Sequence, residues 1–372
     1  MKVAVTFLAF CVAALLALGM VMLYSCKMTE DGAGLLLRQL IWGALGVGAC
    51  VTIASNDYRH LKKIAWPLYA LAAILLLAVY VPHLGYASHG ARRWVSKFGL
   101  TFQPSEFAKL ALVITLAWYG EYFKRQMPTW KRGILIPALF IGLMLGLIFI
   151  EPDRGTTILL AAVSSAMLLI AGVNWKKFVL PILLAVGGLV VSILHDPMRM
   201  RRIFSWLYLE EHKDGVGYQA YQAMLALGSG GWFGLGLGNS RQKMGFVPEH
   251  QTDFILSIIG EELGLIATLL IIVAFIVLVA CGLYISLRAR DTFGLLLGSG
   301  ITFLIGLQAA INIGVVTSAL PNKGLPLPFI SYGGSNLLAM LTCVGVLFSI
   351  AARARVAETD AGEGIAGELQ AA

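Results

Sequence analysis

The residues able to do chemistry in this 372-residue chain sit in a few short strings between long apolar runs. Thr252-Asp253 opens one such run, where a helix N-terminus would favour a carboxylate. Glu106 and Lys109 stand at i and i+3 near the start of another, so they can pair on one helix face. Glu151-Pro-Asp153-Arg154-Gly makes a minimal turn between two more. Ionisable groups at the edge of an apolar span are costly and by default mark function. Each also has a plainer reading, as a helix cap, a structural ion pair and a solvated hairpin respectively. Glu261 and Glu262 lie eight and nine residues past Asp253, roughly 12 Å along a helix axis. That is too far to act on the same atom, and a polar contact between helices suits them better. Arg92, Arg93, Lys97, Arg154, Arg199, Arg201, Arg202, Arg241, Lys243 and Lys323 form a set that could neutralise a phosphorylated ligand. Solvated loop charge accounts for some of them.

The elements that must hold these groups are membrane spans. The chain is 58% hydrophobic and only 13% charged, with a mean hydropathy of +0.81. Soluble domains carry about 25% charged residues, so a water-soluble enzyme, a disordered chain and a nucleic-acid binder are excluded. The net charge of +8 comes from basic residues scattered between apolar runs. Five separate cysteines without CxxC spacing exclude a disulfide framework or a zinc site. Ten apolar segments are long enough to cross about 30 Å of hydrocarbon, near 3–25, 36–54, 64–82, 105–123, 133–150, 156–173, 177–194, 253–283, 293–318 and 332–352. Helix is the expected state, since lipid leaves no backbone group unpaired and no barrel-like alternation is present. The first segment reads as a retained helix, being long for a signal peptide and followed by another span. Ten spans place both termini on one side. Short basic connections, such as Arg59, Lys62 and Lys63 or Lys124, Arg125, Lys131 and Arg132, put that side in the cytoplasm. Trp66, Trp118, Trp130 and Trp175 near predicted helix ends fit an interfacial belt. The expectation is an all-α integral membrane protein of ten transmembrane helices. It forms one polytopic domain over 1–352, with a large outer loop at 195–252 between helices seven and eight. A disordered cytoplasmic tail covers 353–372.

Polar character collects on the outer side, where five of the six histidines fall: His83, His89, His195, His212 and His250. The loop 195–252 is much longer than a structureless connection should be. Its stretch 218–227 is amphipathic enough to lie in or re-enter the interface, and the glycines over 228–238 permit tight turns or close backbone approach. Gln219, Gln222, Asn239, Ser240, Arg241, Gln242 and Lys243 are more polar groups than a linker needs. A polar floor with cations, a helix-end carboxylate and apolar walls suits an amphiphile with a charged head. Chemistry and transport both remain open on composition alone.

The strings themselves carry a resemblance. GARRW at 90–94, QPSEFAKL at 103–110, EPDRGTT at 151–157, GYQ at 217–219, GLGNSRQK at 236–243, PEHQTDFI at 248–255 and GLPLPFISYGGSN at 324–336 occur in order along nearly the whole chain. In this the chain resembles the SEDS family (shape, elongation, division and sporulation), whose members have ten spans. EPD rather than QPD, and GNSRQK before the Pro-Glu pair, place it with the division branch rather than the elongation branch. It departs from the family at Gln251, where the family has His directly before Thr-Asp and this chain has His250 one place earlier. Ser318, Asn322 and Asn336 also replace usual residues of the C-terminal signature.

The resemblance implies a peptidoglycan glycosyltransferase that polymerises lipid II at the outer face of the cytoplasmic membrane, at the division septum. Asp253 corresponds to the family's essential carboxylate. The acceptor's 4-hydroxyl would attack the donor's anomeric carbon, undecaprenyl pyrophosphate would leave, and an α linkage would become β. A single inverting displacement needs one base, not the close carboxylate pair of a retaining enzyme. A carboxylate at a helix N-terminus is a weak base. Burial could restore its basicity, or Asp253 could hold a divalent cation, Mg2+ or Mn2+, on the pyrophosphate. No organic cofactor is implied. Arg92, Arg93, Lys109, Arg154 and Lys243 are the pyrophosphate candidates, with Glu106 orienting Lys109. Trp94 would stack on sugar or prenyl chain, or anchor at the interface. Asp153, Gln219, Ser240, Glu249 and Ser331 complete the expected substrate site. Implied partners are a class B penicillin-binding protein, the FtsI-type transpeptidase, and the regulators FtsQ, FtsL and FtsB. A lipid II flippase or a division scaffold are the competing readings.

Overall fold

In the computed structural model the described residues are 1–26, 32–81, 85–88, 91–97, 100–243, 245–247 and 251–371. Each of the ten apolar segments forms helix. The elements in chain order are α1 (Lys2–Ser25), α2 (Gly32–Ser55), a single turn α3 (His60–Lys63), α4 (Ala65–Ala78), three strands β1 (Gly85–Ser88), β2 (Ala91–Lys97) and β3 (Leu100–Phe102), then α5 (Pro104–Tyr122) and α6 (Ile136–Ile150). There follow α7 (Arg154–Ile170), α8 (Val179–Leu194), α9 (Pro197–Leu207), α10 (Tyr218–Ser229), α11 (Ile255–Leu287), α12 (Thr292–Val316) and α13 (Gly334–Ala371). Among the described residues, six helical stretches are long and apolar enough to cross a membrane by length and composition: Lys2–Ser25, Gly34–Ser55, Lys131–Ile150, Ile255–Leu287, Thr292–Val316 and Gly334–Ala354. Ala65–Ala78 and Arg154–Ile170 are shorter apolar helices. The first turn of α5 carries Glu106, and Lys109 follows one turn later on the same face.

Around an apolar core, burial departs from that of a soluble protein in two ways. Leucines and isoleucines such as Leu139, Leu184 and Leu287 are exposed on the bundle's flanks, while Gln308, Asn312, Glu106 and Lys109 are enclosed. This follows when hydrocarbon is the solvent: apolar side chains gain nothing by hiding and polar ones must find partners inside. The centre is built from α5 and α12, which pack on each other and on α7. α2 lies along α13, and α11 lies along α12 and α1. At the end opposite Asp253, Asp291 caps α12 through Gly294 N–H at 2.7 Å. It also accepts from the Tyr58 hydroxyl and pairs with Arg59 Nε, both at 3.0 Å.

Three features differ from expectation. The connection between α4 and α5 is a three-stranded antiparallel sheet in the order β1-β2-β3. Its sequence signal is weak: the β-prone runs are short, and Gly90 and Gly99 are not preceded by the Asn, Asp or Gly that favours a tight hairpin turn. The segment 353–371, assigned to a disordered tail, continues α13 as helical backbone. Ala and Glu are strong helix formers, so such a run can take helix without an apolar face. Finally, α11 is interrupted at Gly264, where φ is +79° and ψ is −175°.

The interruption is filled by the loop after α10. Leu235 N–H and Gly236 N–H donate to the carbonyls of Glu261 and Glu262, at 2.9 and 3.0 Å. In return Leu265 N–H donates to Gly231 O at 2.9 Å, and Ile266 N–H to Trp232 O at 3.3 Å. A break in a helix leaves donors and acceptors unpaired, and here the loop backbone supplies the partners. The approach is close: a Cβ at Gly234 would stand 2.1 Å from Glu262 O, and one at Gly264 2.4 Å from Gly234 N.

Candidate functional site

The polar residues at the Asp253 end of the bundle form one hydrogen-bonded floor. Asp153, the N-cap of α7, accepts from Thr156 N–H at 3.2 Å and from the Thr156 hydroxyl at 2.9 Å. Gln103, the N-cap of α5, donates from Nε2 to Ser105 Oγ at 2.9 Å and to Asp153 Oδ2 at 3.4 Å, and from its N–H to Ser335 Oγ at 3.3 Å. Beside Ser335, Asn336 Nδ2 donates to Glu106 Oε2 at 2.8 Å. Glu106 pairs with Lys109 Nζ at 2.7 Å, as the i,i+3 spacing allows. Lys109 then donates to Gln308 Oε1 at 2.8 Å, and Gln308 Nε2 to Pro326 O at 2.9 Å. One turn further along α12, Asn312 Nδ2 donates to Leu325 O at 2.7 Å and to Asp253 O at 2.8 Å. The chain of contacts therefore runs from the Glu151–Arg154 turn to the Asp253 turn through α5, α12 and the strand-like segment before α13.

Asp253 is half-buried in the turn leading into α11. The N-cap of that helix is Phe254, so Asp253 stands one residue outside the cap and not in it. The plainer reading of Asp253 as the helix cap is not what the structure shows. Its carboxylate lies against Gly324: a Cβ there would come within 2.6 Å of Asp253 Oδ2. The turn is held from the other side by Tyr332 N–H, which donates to Gln251 O at 2.9 Å.

Arg93 serves the neighbouring turn. Its Nε donates to Glu151 O at 2.9 Å and its Nη2 to Pro152 O at 2.5 Å. Glu151 itself is fully buried, and among the described residues neither carboxyl oxygen has a hydrogen-bond partner. Burial, with a smaller contribution from Asp153, pushes its carboxyl up to about 8, against a lowering by Arg93. Arg154 reaches Asp196, the N-cap of α9, at 4.0 Å. Trp94 is half-exposed on β2, paired in register with Tyr86.

The remaining expected site residues are placed elsewhere. Lys243 is completely enclosed, with Nζ bonded to Glu262 Oε1 at 2.9 Å and to Ser25 O at 3.1 Å. Ser240 bonds Glu261 through its hydroxyl and Glu262 through its N–H, and Glu261 also accepts from Arg241 N–H at 2.9 Å. Glu261 and Glu262 thus make an interelement contact, fastening the 238–243 loop to α11 and α1. With their charges met by glutamates, neither Lys109 nor Lys243 presents its ammonium to a surface in this arrangement. Gln219 accepts from Asn322 Nδ2 at 3.2 Å, tying α10 to the segment before α13. Ser331 Oγ accepts from Leu327 N–H at 2.8 Å, and Ser331 O accepts from Gln39 Nε2 at 3.2 Å. Glu249 and His250 lie outside the described residues, as do His83, His89 and the side chain of Arg92. Among the described residues no group of three His, Cys, Asp or Glu is arranged to hold a metal ion. Such an ion would therefore rest on Asp253 as a single protein carboxylate.

Gln308, Asn312 and Ser335 were not expected in the site, nor were Gln39 and Ser25 expected as partners of Ser331 and of the Lys243–Glu262 pair. Gln308 and Asn312 stand at i and i+4 within an apolar run, a one-faced polar pair that was available as a signal.

These features define a polytopic helical membrane protein whose buried polar chemistry is gathered at one end of the bundle. The chain belongs to the FTSW_RODA_SPOVE family, described as "Cell cycle protein", whose family model matches residues 5–356. It is 40% identical over 353 residues to a protein of Trichlorobacter lovleyi named "Probable peptidoglycan glycosyltransferase FtsW", covering 93% of this chain and 92% of that one. It is 38% identical to "Stage V sporulation protein E" of Bacillus subtilis, covering 92% and 95%. Among solved structures it matches, at a TM-score of 0.79 and 28% identity, a chain described under "Structural coordination of polymerization and crosslinking by a peptidoglycan synthase complex", covering 93% of this chain and 97% of that one. It also matches the rod shape determining protein RodA of Thermus thermophilus at a TM-score of 0.68 and 28% identity, covering 92% and 95%.

Proposed function

We propose that this chain is a peptidoglycan glycosyltransferase that polymerises lipid II at the outer face of the cytoplasmic membrane during division. Its relatives' names support the activity. The observation that carries the site assignment is the Asp253 turn, braced by Asn312 and Tyr332 at the end of the polar floor, with its carboxylate left half-buried. In the proposed reaction the acceptor's 4-hydroxyl gives its proton to Asp253 as its oxygen bonds to the donor's anomeric carbon. The bond to undecaprenyl pyrophosphate breaks, and its electron pair leaves with the phosphate. Arg154 and the cations of the β2 segment are the groups suited to meet that leaving charge, with Lys109 and Glu106 shaping the floor beneath. In the alternative role Asp253 would hold a divalent cation, Mg2+ or Mn2+, which would supply charge stabilisation to the leaving group.

The interrupted helix α11 is the one feature that favours transport, since broken helices line many carrier sites. Here the backbone groups at Glu261, Glu262, Leu265 and Ile266 are paired with the 231–236 loop, which supports a fastened joint over an open ion site. A class B penicillin-binding protein of the FtsI type is the proposed crosslinking partner, with FtsQ, FtsL and FtsB as regulators. Both termini are proposed to be cytoplasmic and the protein to act at the septum.

The test is to supply purified protein, alone and with its transpeptidase, with lipid II. Asp253→Asn and Asp253→Ala are expected to abolish glycan strand formation while lipid II movement across vesicles stays at background. Normal polymerisation by Asp253→Ala would remove Asp253 from the mechanism, and Asp253-dependent flipping without polymerisation would favour the carrier.

A further inference from the structure

We infer that Asn312 is a positioning residue for Asp253, holding the Asp253 turn and the 324–326 segment at a fixed separation. The inference rests on the proposed role of Asp253 as base. A carboxamide has two N–H donors in one plane, and Asn312 Nδ2 uses both, toward Leu325 O at 2.7 Å and Asp253 O at 2.8 Å. One planar group therefore sets the distance between two backbone segments that have no regular secondary structure to fix it. Those are the segments that meet at the carboxylate, since Gly324 lies against Asp253 Oδ2.

The surroundings make this side chain rigid. Asn312 is buried on α12, and its Oδ1 is enclosed without a hydrogen-bond partner among the described residues. An acceptor left unmet in a protein interior is costly, and an amide turned the other way would set that oxygen against two carbonyls. The orientation observed is the one that serves Asp253 and Leu325. Gln308, one turn earlier, makes the matching link on the other side by joining Lys109 to Pro326 O. The Glu106–Lys109 pair thus reaches the Asp253 turn through consecutive carbonyls of a single segment.

The substitutions separate positioning from packing. Asn312→Asp keeps the shape but offers two carbonyls at most one donor, the O–H of a protonated carboxyl. Asn312→Ala removes the clamp, and Asn312→Ser keeps one shorter donor. With lipid II as substrate for the full chain, Asn312→Asp and Asn312→Ala are expected to lower kcat by about tenfold to a hundredfold, the range expected for a misplaced reacting group. KM should stay within about twofold, and Asn312→Ser should fall between them and the wild type. Thermal midpoints in detergent identify any variant that fails to fold. Should Asn312→Asp and Asn312→Ala both stay folded with kcat unchanged, the positioning role is wrong. A rise in KM with kcat preserved would overturn it equally, by assigning Asn312 to substrate binding. Loss of activity in Asp253→Asn alongside a normal Asn312→Ala rejects only the inference. Full activity in Asp253→Asn rejects the reading beneath it.

Discussion

Gly324 shows how narrowly a single position constrains the carboxylate. An added methyl there would stand 2.6 Å from Asp253 Oδ2, and the carboxylate is the movable partner of that contact. Gly324→Ala is therefore expected to displace the reactive group and leave the fold intact. Polymerisation of lipid II should drop by about a hundredfold, with a thermal midpoint close to wild type. Equal activity would show that the carboxylate works from another position. Glu151 supports a second prediction, on pH. Its buried carboxyl is raised from the ordinary 4.5 to about 8, with burial as the first cause, Asp153 adding to it and Arg93 opposing it. The Tyr80 phenol also lies within its electrostatic reach. The folded state keeps a proton that the unfolded chain releases, so its contribution to stability is complete below about 4.5 and is lost as pH rises to about 8. Between pH 5 and 8 the wild-type thermal midpoint should fall more steeply than that of Glu151→Gln, which has no proton to lose. Parallel slopes would mean that Glu151 is ionised in the fold. At this scale the sequence reading found Asp253, Glu106 and Lys109 because charge in an apolar run is conspicuous. It passed over Asn312, Gln308 and Gln39, whose neutral amides disturb hydropathy little while doing the bracing. Asn322 and Asn336, noticed only as departures from the family pattern, turn out to bond Gln219 and Glu106.

At the level of elements, the joint between α11 and the 231–236 loop is what local reasoning could not anticipate. Hydropathy reads 253–283 as one apolar run, and the glycine cluster at 228–238 reads as permissive without saying what approaches it. The pairing is long-range, and its partner is a backbone with no sequence signature of its own. Its energetics can be checked with two glycines of the same loop. Gly234 has φ +79°, and its Cβ would come within 2.1 Å of Glu262 O, a backbone atom that cannot move aside. Gly231 has φ +54° with open space around it. Gly231→Ala should cost about 1–2 kcal/mol, the left-handed penalty alone. Gly234→Ala should cost well above the roughly 0.5–3 kcal/mol of ordinary substitutions and separate the loop from α11. Thermal unfolding of the two variants measures the difference, and similar losses would mean that the joint is open in the membrane. Beside it, Lys243 and Glu262 are a fully buried ion pair. Lys243→Met leaves the buried Glu262 carboxylate without its cation, held among the described residues only by the Ser25 hydroxyl and Ser240 N–H. That should cost about 3–5 kcal/mol, whereas Arg241→Met at the exposed neighbouring position should cost little.

Across the whole molecule, the break at Gly264 bears on where the chemistry sits relative to lipid. The inner part of α11, 265–287, has about 23 residues, and at about 1.5 Å per residue it spans roughly 35 Å, enough to cross the hydrocarbon unaided. The outer part, 255–263, is then surplus to crossing. Its burial pattern agrees: the residues from Ile255 to Glu262 are all enclosed by protein, and lipid-type exposure begins at Leu265 and Ile266. Asp253 would accordingly stand up to about 15 Å beyond the hydrocarbon edge, the limit set by the length of 255–263. That is a suitable height for a reaction at sugars carried above a membrane-anchored pyrophosphate. At the level of the break, Trp232 and Phe233 are exposed, Phe233 by 83%, and aromatic rings at such a boundary act as interfacial anchors. The prediction is a depth profile in lipid bilayers. Four of the five native cysteines are buried and Cys281 is half-buried, so single added thiols can carry a nitroxide with low background. A probe at Phe233→Cys should be shielded from an aqueous relaxing agent and reached by a lipid-soluble one. At Arg241→Cys, on the same loop but toward the Asp253 side, the order should reverse. If both positions proved equally water-exposed, the outer part of α11 would lie farther from the bilayer than its length implies, and the reaction centre would be carried away from the lipid-anchored phosphate it is proposed to act upon.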